Sequence, residues 1–346
     1  MKIFEPIQVK KVVFQNHIVM APMVPFGIPE RSDGVISDEL LEHYLSRADN
    51  DMGLLIVQAL AVTPTDSSIN GVGVYHTGIF SDEHKTPLKA IADTFHAHGS
   101  KVFVQLGFSS RDFDSGASIN GYTTAEMQHI RNAFIDAARR CKEAGCDGVE
   151  LHGAHGFFLN MVTSEQSNQR KDSYGGNFEH RIRFVREIVT QIKEFAGDDF
   201  IIAYRMGWCS PAESDVRMAQ TLEELGVDML HVSSGIPSAR EISLPNDFPF
   251  NAVVYAGIKI KEAVQIPVIV VNDIQTLQRA EQLIENGMAD FAAFGRPFLA
   301  DENFIRHSVE NKGYHSCFRC RECKWLEHYE KCPAYKNKKM ERKDIL

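Results

Sequence analysis

The sequence predicts an α/β protein: a (β/α)8 TIM barrel over residues 1–301, followed by a short cysteine-containing C-terminal extension over 302–346. Three observations carry this. Eight short, almost wholly apolar runs recur along the chain, as parallel strands buried on both faces require. They are His17–Met20, Leu54–Ala59, Lys101–Leu106, Gly148–Leu151, Phe200–Arg205, Met229–Val232, Val268–Val271 and Phe291–Phe294. Amphipathic segments fall between them: Asp38–Ala48, Thr86–Ala97, Ala125–Lys142, Glu179–Phe195, Pro211–Leu225, Ala252–Val264 and Leu277–Glu285. The joints also repeat. Gly99, Gly145, Gly226 and Gly287 each close a helix just before a strand, where a left-handed residue without a Cβ is favoured. Asp147, Asp228 and Asp290 follow three of them. Repeated strand–helix units point to a barrel, and no Gly-x-Gly-x-x-Gly follows a strand to suggest a doubly wound dinucleotide fold.

The bulk properties narrow the function. At 346 residues, with 44% hydrophobic and 24% charged residues, the composition is that of a globular protein. A net charge of -9 argues against nucleic-acid binding. No run approaches the ~20 apolar residues of a membrane span, and the amino-terminal residues show no secretory leader, so a cytoplasmic location is expected. The basic stretch Lys336–Lys343 reads as a solvated terminus. Of seven cysteines, Cys141, Cys146 and Cys209 are scattered and suit small buried positions. Cys317, Cys320, Cys323 and Cys332 are clustered, which favours a reducing compartment and a metal or cluster site over a disulfide framework. That spacing fits zinc or a [4Fe–4S] cluster, and a zinc site would clasp the tail.

Candidate chemistry lies at strand exits, where barrel enzymes keep it. His152 and His155 directly follow the fourth strand in His-Gly-Ala-His-Gly. Two imidazoles there can donate to developing negative charge on a substrate oxygen. A metal role would need a third ligand, and none is evident nearby. Gln105 ends the third strand and offers a donor and an acceptor side by side. Arg205 ends the fifth, and a buried arginine needs an anionic partner. Gly295-Arg296 ends the eighth.

The stretch His152–Arg181 closely resembles the signature of the Old Yellow Enzyme family of FMN-dependent oxidoreductases. The matching residues are His152, Gly153, Ala154, His155 and Gly156, then Ser164, Asn168, Arg170, Asp172, Tyr174, Gly175 and Gly176, then Glu179 and Arg181. Trimethylamine dehydrogenase and 2,4-dienoyl-CoA reductase, larger members of that family, carry a similar cysteine run with a cluster. The resemblance implies bound FMN, reduction by NAD(P)H, and a small-molecule acceptor held by His152 and His155 as catalytic residues. It further implies that Ala21, Pro22, Met23, Val24, Ala59, Gln105, Arg205, Ser234, Asn272, Gly295 and Arg296 line the flavin. Gly295-Arg296 would hold its phosphate with backbone N–H groups and a helix amino terminus. Phe26 and Phe157 fall at substrate-facing positions.

Several positions depart from the family pattern. Phe157 stands where relatives carry a proton-donating tyrosine, so proton delivery is expected from water, His155 or Tyr122. Val24 replaces a polar flavin neighbour. Only Arg111 survives of the motif after Gln105, and the connection to Thr124 is short. Asn272 and Asp273 replace glycines of the phosphate loop; asparagine tolerates left-handed backbone, and Asp273 is expected to point away from the phosphate. The expected activity is therefore an FMN-dependent, ene-reductase-like NAD(P)H oxidoreductase acting on an enone-like acceptor, with no nucleic-acid or membrane partner and a homo-oligomer allowed for. The alternative is a non-catalytic or electron-relay flavoprotein subunit serving a protein partner. A flavin-free barrel lyase is disfavoured by Gln105, Arg205 and Gly295-Arg296 together.

Overall fold

The computed structural model describes residues 1–65, 76–109, 119–208, 212–236 and 243–335. Arg111, Cys209 and the basic stretch from Lys336 lie outside them.

Eight parallel strands close into a barrel in chain order: β3 (Ile18–Met20), β4 (Leu54–Ala61), β5 (Lys101–Gly107), β6 (Gly148–Gly153), β7 (Ile201–Trp208), β8 (Met229–Ser234), β9 (Val268–Val271) and β10 (Phe291–Phe294). Strand β10 pairs with β3 through Ala292 opposite Ile18 and Phe294 opposite Met20. The helices are α1 (Asp38–Leu45), α2 (Lys85–Ala97), α3 (Thr124–Glu143), α4 (Phe158–Thr163), α5 (Phe178–Ala196), α6 (Ala212–Leu225), α7 (Ala252–Lys261), α8 (Leu277–Glu285), α9 (Arg296–Ala300) and α10 (Phe304–Glu310). Two strands, β1 (Ile7–Val9) and β2 (Val12–Phe14), form an antiparallel hairpin that the sequence pattern does not announce. Among the described residues, no helix is long and apolar enough to cross a membrane.

Side chains alternate along each strand between two cores. Ile18, Leu55, Val57, Val102, Val104, Ile202 and Tyr204 pack outward under the helices. Val19, Leu54, Ile56, Phe103, Ile201, Met229, Ile269 and Phe291 fill the interior, which Val9, Val12 and Phe14 of the hairpin close from below. Phe14 meets Phe103 and Phe291 edge to face, with ring centroids 6.0 and 5.2 Å away.

The expected joints are present. Gly99, Gly145, Gly226 and Gly287 all have φ between 65° and 91°. The aspartates after them clamp the preceding strand. Asp147 accepts from Val102 N at 2.9 Å, Asp228 from Ile202 N at 2.8 Å and Asp290 from Val268 N at 2.8 Å. Each satisfies an amide near a strand's start, at the end of the barrel remote from the chemistry. Several helix starts are capped by their own sequence, as where Thr123 and Glu126 form a reciprocal box at the start of α3.

The last part of the chain builds no separate core. Trp325, Cys332 and Ala334 pack with Leu299 and Ala300 of the barrel, and Met23, Cys317, Cys323, Tyr329 and Tyr335 complete that cluster. The extension therefore rests on the loop after β3 and on helix α9.

Candidate active site

The interior turns from apolar to polar toward the carboxyl ends of the strands. Gln105 of β5 donates from Nε2 to Glu150 Oε1 at 2.7 Å, and Glu150 Oε2 lies 2.7 Å from His231 Nδ1. All three are buried. Burial alone would push the Glu150 carboxyl up. His231, the Arg205 guanidinium and the Gln105 amide outweigh it and hold it below its ordinary range. Burial and Arg205 push His231 down, so it is neutral and donates its Nδ1–H to Glu150. Among the described residues, His231 Nε2 is buried with no hydrogen-bond partner. Glu150 is a negative charge near the buried Arg205. Neither Glu150 nor His231 was singled out from the sequence. The signal was a carboxylate and an imidazole inside strands that are otherwise apolar.

Above this layer lies the histidine pair. Strand β6 places His152 directly opposite Arg205 in the parallel register. His155 has φ 60°, and its amide donates to Ser234 O at 3.0 Å, tying the exits of β6 and β8 together. His152 Nε2 lies 3.1 Å from His155 Nδ1, and His155 Nε2 lies 2.8 Å from Ser233 Oγ. Arg205 Nη2 reaches the same hydroxyl at 3.5 Å. Burial, then the neighbouring imidazole and Arg205, push His152 well below its ordinary range. Burial and Arg205 bring His155 down to about 3. Both imidazoles are neutral near pH 7 and act as single N–H donors, not as cations.

Ser233, not Ser234, faces this cluster. Ser233 is buried and the Ser234 side chain is exposed, because one step along a strand reverses the face. Ser234 contributes its backbone carbonyl. The Phe157 ring is 4.7 Å from that of His152 and 6.1 Å from that of His155. It packs with Ala59 and Ala61 of β4, where the register against β5 shifts between Val57 and Leu60. Tyr122 lies with the outer core. Its ring packs edge to face on Phe108 and Phe158.

The rest of the signature is scaffold. Asn168 Nδ2 donates to the carbonyls of Val162 and Tyr174 at 2.6 and 2.8 Å. Arg170 donates to Ile119 O at 2.7 Å and pairs with Asp172. These residues brace the wall around the histidine turn.

On the opposite side, Ala21 N donates to Phe294 O at 2.9 Å and sets the Ala21-Pro22-Met23 turn against β10. Val24 and Phe26 are half-buried beyond it. A Cβ on Gly295 would lie 3.1 Å from Met23 Sδ, so this exit takes glycine readily. Asn272 and Asp273 have φ of 100° and 53°, supplying the left-handed backbone expected in place of glycine. The Asp273 carboxylate corrects one expectation. It does not turn away from the phosphate residues; Oδ1 accepts from Arg296 Nη2 at 2.9 Å and Oδ2 from Arg319 Nη2 at 2.6 Å.

Cys317, Cys320, Cys323 and Cys332 line one small cavity beside Arg296 and Trp325. Its volume is about 20 Å³, room for about one water. Among the described residues, no group of three or more His, Cys, Asp or Glu side chains is placed to hold a metal ion. Burial pushes the Cys317 thiol above its ordinary range. The four cysteines converge beside Trp325, whose ring packs on Tyr329 and Tyr335.

The residues present fit a flavin. Gln105 keeps its carbonyl oxygen for a ligand, Arg205 supplies a buried cation, and Gly295-Arg296 forms a narrow strand exit that carries a guanidinium. A parallel barrel with this polar layer and a neutral histidine pair at its mouth defines a flavin-type oxidoreductase. The family model described as the NADH:flavin oxidoreductase / NADH oxidase family matches residues 2–120 and 114–313. The chain is 34% identical over 328 residues to the NADPH dehydrogenase of Bacillus pumilus (strain SAFR-032), covering 89% of this chain and 94% of that protein. It is 33% identical over 337 residues to the NADH oxidase of Thermoanaerobacter brockii, covering 90% of this chain but only 51% of that protein. The chain thus spans about half the length of this second relative. Among solved structures, a morphinone reductase mutant in complex with tetrahydroNAD shares the fold at a TM-score of 0.71 and 24% identity, over 91% of this chain and 92% of that one. The chain belongs to the NADH:flavin oxidoreductase / NADH oxidase family, an FMN-dependent NAD(P)H oxidoreductase of the Old Yellow Enzyme type. The family match ends at residue 313, before the four cysteines.

Proposed function

We propose that the protein takes reducing equivalents from NAD(P)H and delivers hydride to a small electrophilic acceptor of the enone class, with its FMN held by Gln105, Arg205 and Gly295-Arg296. The observation that supports this reading most is the string His152–His155–Ser233–Arg205 beside Phe157. Bound FMN supplies the hydride transfer; the chain supplies everything around it. His152 and His155 flank the acceptor's oxygen; on binding, their mutual contact gives way to contacts with that oxygen, and the N–H groups stabilise the charge that develops there. Ser233 and Arg205 fix the His155 ring from behind. Phe157 presents carbon where a hydroxyl would protonate the substrate, so the proton comes from water or from His155. A reducing, cytoplasmic setting suits the free thiols. The test is direct. Full-length protein from flavin-replete cells should release one FMN per chain on denaturation, bleach with NADPH or NADH under anaerobic conditions, and recover its colour with a cyclic enone. Absence of FMN in the denatured extract would sink the reading.

A relay reading is favoured by one contact, the packing of the cysteine extension on Met23 of the flavin turn. It predicts reoxidation by a protein acceptor and none by enones.

A further inference from the structure

The extension does more than cover the barrel. It sends one side chain, Arg319, into the phosphate loop. Arg319 lies between Cys317 and Cys320 with φ 51°, and its guanidinium meets Asp273 Oδ2 at 2.6 Å. The other oxygen of the same carboxylate meets Arg296 Nη2 at 2.9 Å and Gln275 Nε2 at 3.2 Å. Asp273 therefore stands between two arginines, one from the strand exit after β10 and one from the extension.

The charge count decides what this arrangement can bind. Arg296 and Asp273 alone sum to zero, and a carboxylate in contact with the phosphate arginine opposes a phosphate dianion. Arg319 makes the trio net positive. It also takes one Asp273 oxygen, which lets Arg296 turn toward a second anion. Both arginines are partly exposed, with side chains 33% and 60% accessible, so each has room to reorient. The extension is held in place to do this. Tyr329 N donates to Phe26 O at 2.8 Å, and Trp325 and Cys317 pack with Met23 and Leu299.

We propose that Arg319 is a second cation of the flavin phosphate site, compensating for Asp273, so that the extension completes the FMN site. This rests on the FMN reading of Gly295-Arg296. The ligand chemistry recognised is a phosphate monoester. A flavin without the phosphate does not engage Arg319.

The experiment uses the full-length chain, freed of flavin by dialysis and titrated with FMN or riboflavin by fluorescence quenching. Arg319→Ala should weaken FMN about 10- to 100-fold, the range of one charge-assisted contact, and leave riboflavin within about twofold. Arg319→Lys should retain most of the affinity, because it keeps the charge. Asp273→Asn should tighten FMN several-fold and leave riboflavin unchanged. Equal losses for FMN and riboflavin in Arg319→Ala would reduce Arg319 to a structural staple and overturn the proposal. So would no loss in either, or an Asp273→Asn variant that weakens FMN as Arg319→Ala does. Arg296→Ala separates the two levels of the argument. If it leaves the FMN-to-riboflavin ratio unchanged, the phosphate reading of Gly295-Arg296 fails and takes this proposal with it. If it lowers the ratio while Arg319→Ala does not, only the role of Arg319 fails.

Discussion

Replacing His155 with Asn should make the protein less sensitive to mild acid. His155 is brought from its ordinary 6.5 down to about 3 by burial and by the positive charge of Arg205. The folded state therefore binds fewer protons than the unfolded chain at any pH between these values. The stability linked to His155 is full above pH 6.5 and declines as pH falls toward 3. Each unit of that interval is worth ~1.4 kcal/mol, so between pH 7 and pH 5 the loss is about 2 kcal/mol from this group alone. The assay is urea unfolding of wild type and His155→Asn at pH 7.0 and 5.0, with flavin held at the same saturation. The wild type should lose about 2 kcal/mol more than the variant over that step. Parallel pH dependences in the two proteins would refute the argument. They would mean that His155 is hydrated enough to titrate normally, and that the pair greets its acceptor as a cation.

Three further outcomes are expected. Phe157→Tyr places a phenol beside His152 and should raise enone reduction about 10²-fold or more, with little change in flavin reduction by nicotinamide, read by stopped-flow of the two half-reactions; unchanged reoxidation rates on several enones would mean the hydroxyl does not reach the substrate carbon. Glu150→Gln removes the anion that faces Arg205, His231 and Gln105, and should cost about 3–5 kcal/mol in urea unfolding as well as shifting the flavin absorption band; a stable variant with an unaltered spectrum would show that Arg205 has another counter-charge. Asp228→Ala leaves an amide at the start of β7 without its clamp and should lower stability by about 1–2 kcal/mol while FMN affinity stays the same; a parallel loss of FMN affinity would place Asp228 in the binding machinery instead of the floor.

The barrel was legible because its strands are buried on both faces. A run such as Val268–Val271 has no other good use in a globular protein, and its predicted bounds match the observed strand. The glycine joints were legible for a backbone reason, since all four take positive φ. Expected ends drifted where a strand continues past its apolar stretch: β7 runs on to Trp208 and β6 to Gly153, which carry the strand up to the chemistry. The β1–β2 hairpin escaped because three-residue strands leave too short a pattern. At the site, His152, Gln105 and Arg205 stand at strand exits that the sequence marks, and Phe157 was singled out only through the resemblance. Glu150 and His231 could not be singled out, since a polar residue within an apolar run shows no partner until strands from distant parts of the chain are brought side by side. The same limit explains Asp273. Its fate depends on Arg319, and nothing local says where the extension docks.

The hairpin has a consequence for how the chain reaches its folded form. Phe14 is made early in synthesis, yet one of its partners, Phe291, belongs to the last strand of the barrel. Until β10 slots between β9 and β3, the hairpin has only part of its seat, and Val9, Val12 and Phe14 have no closed interior to enter. A nascent or truncated chain that stops short of β10 therefore carries an apolar finger ready to engage whatever surface is near. The plug reports ring closure. Protease resistance around residues 7–14 should appear only when the final strand is in place, and it would serve as a timer for assembly of the whole molecule.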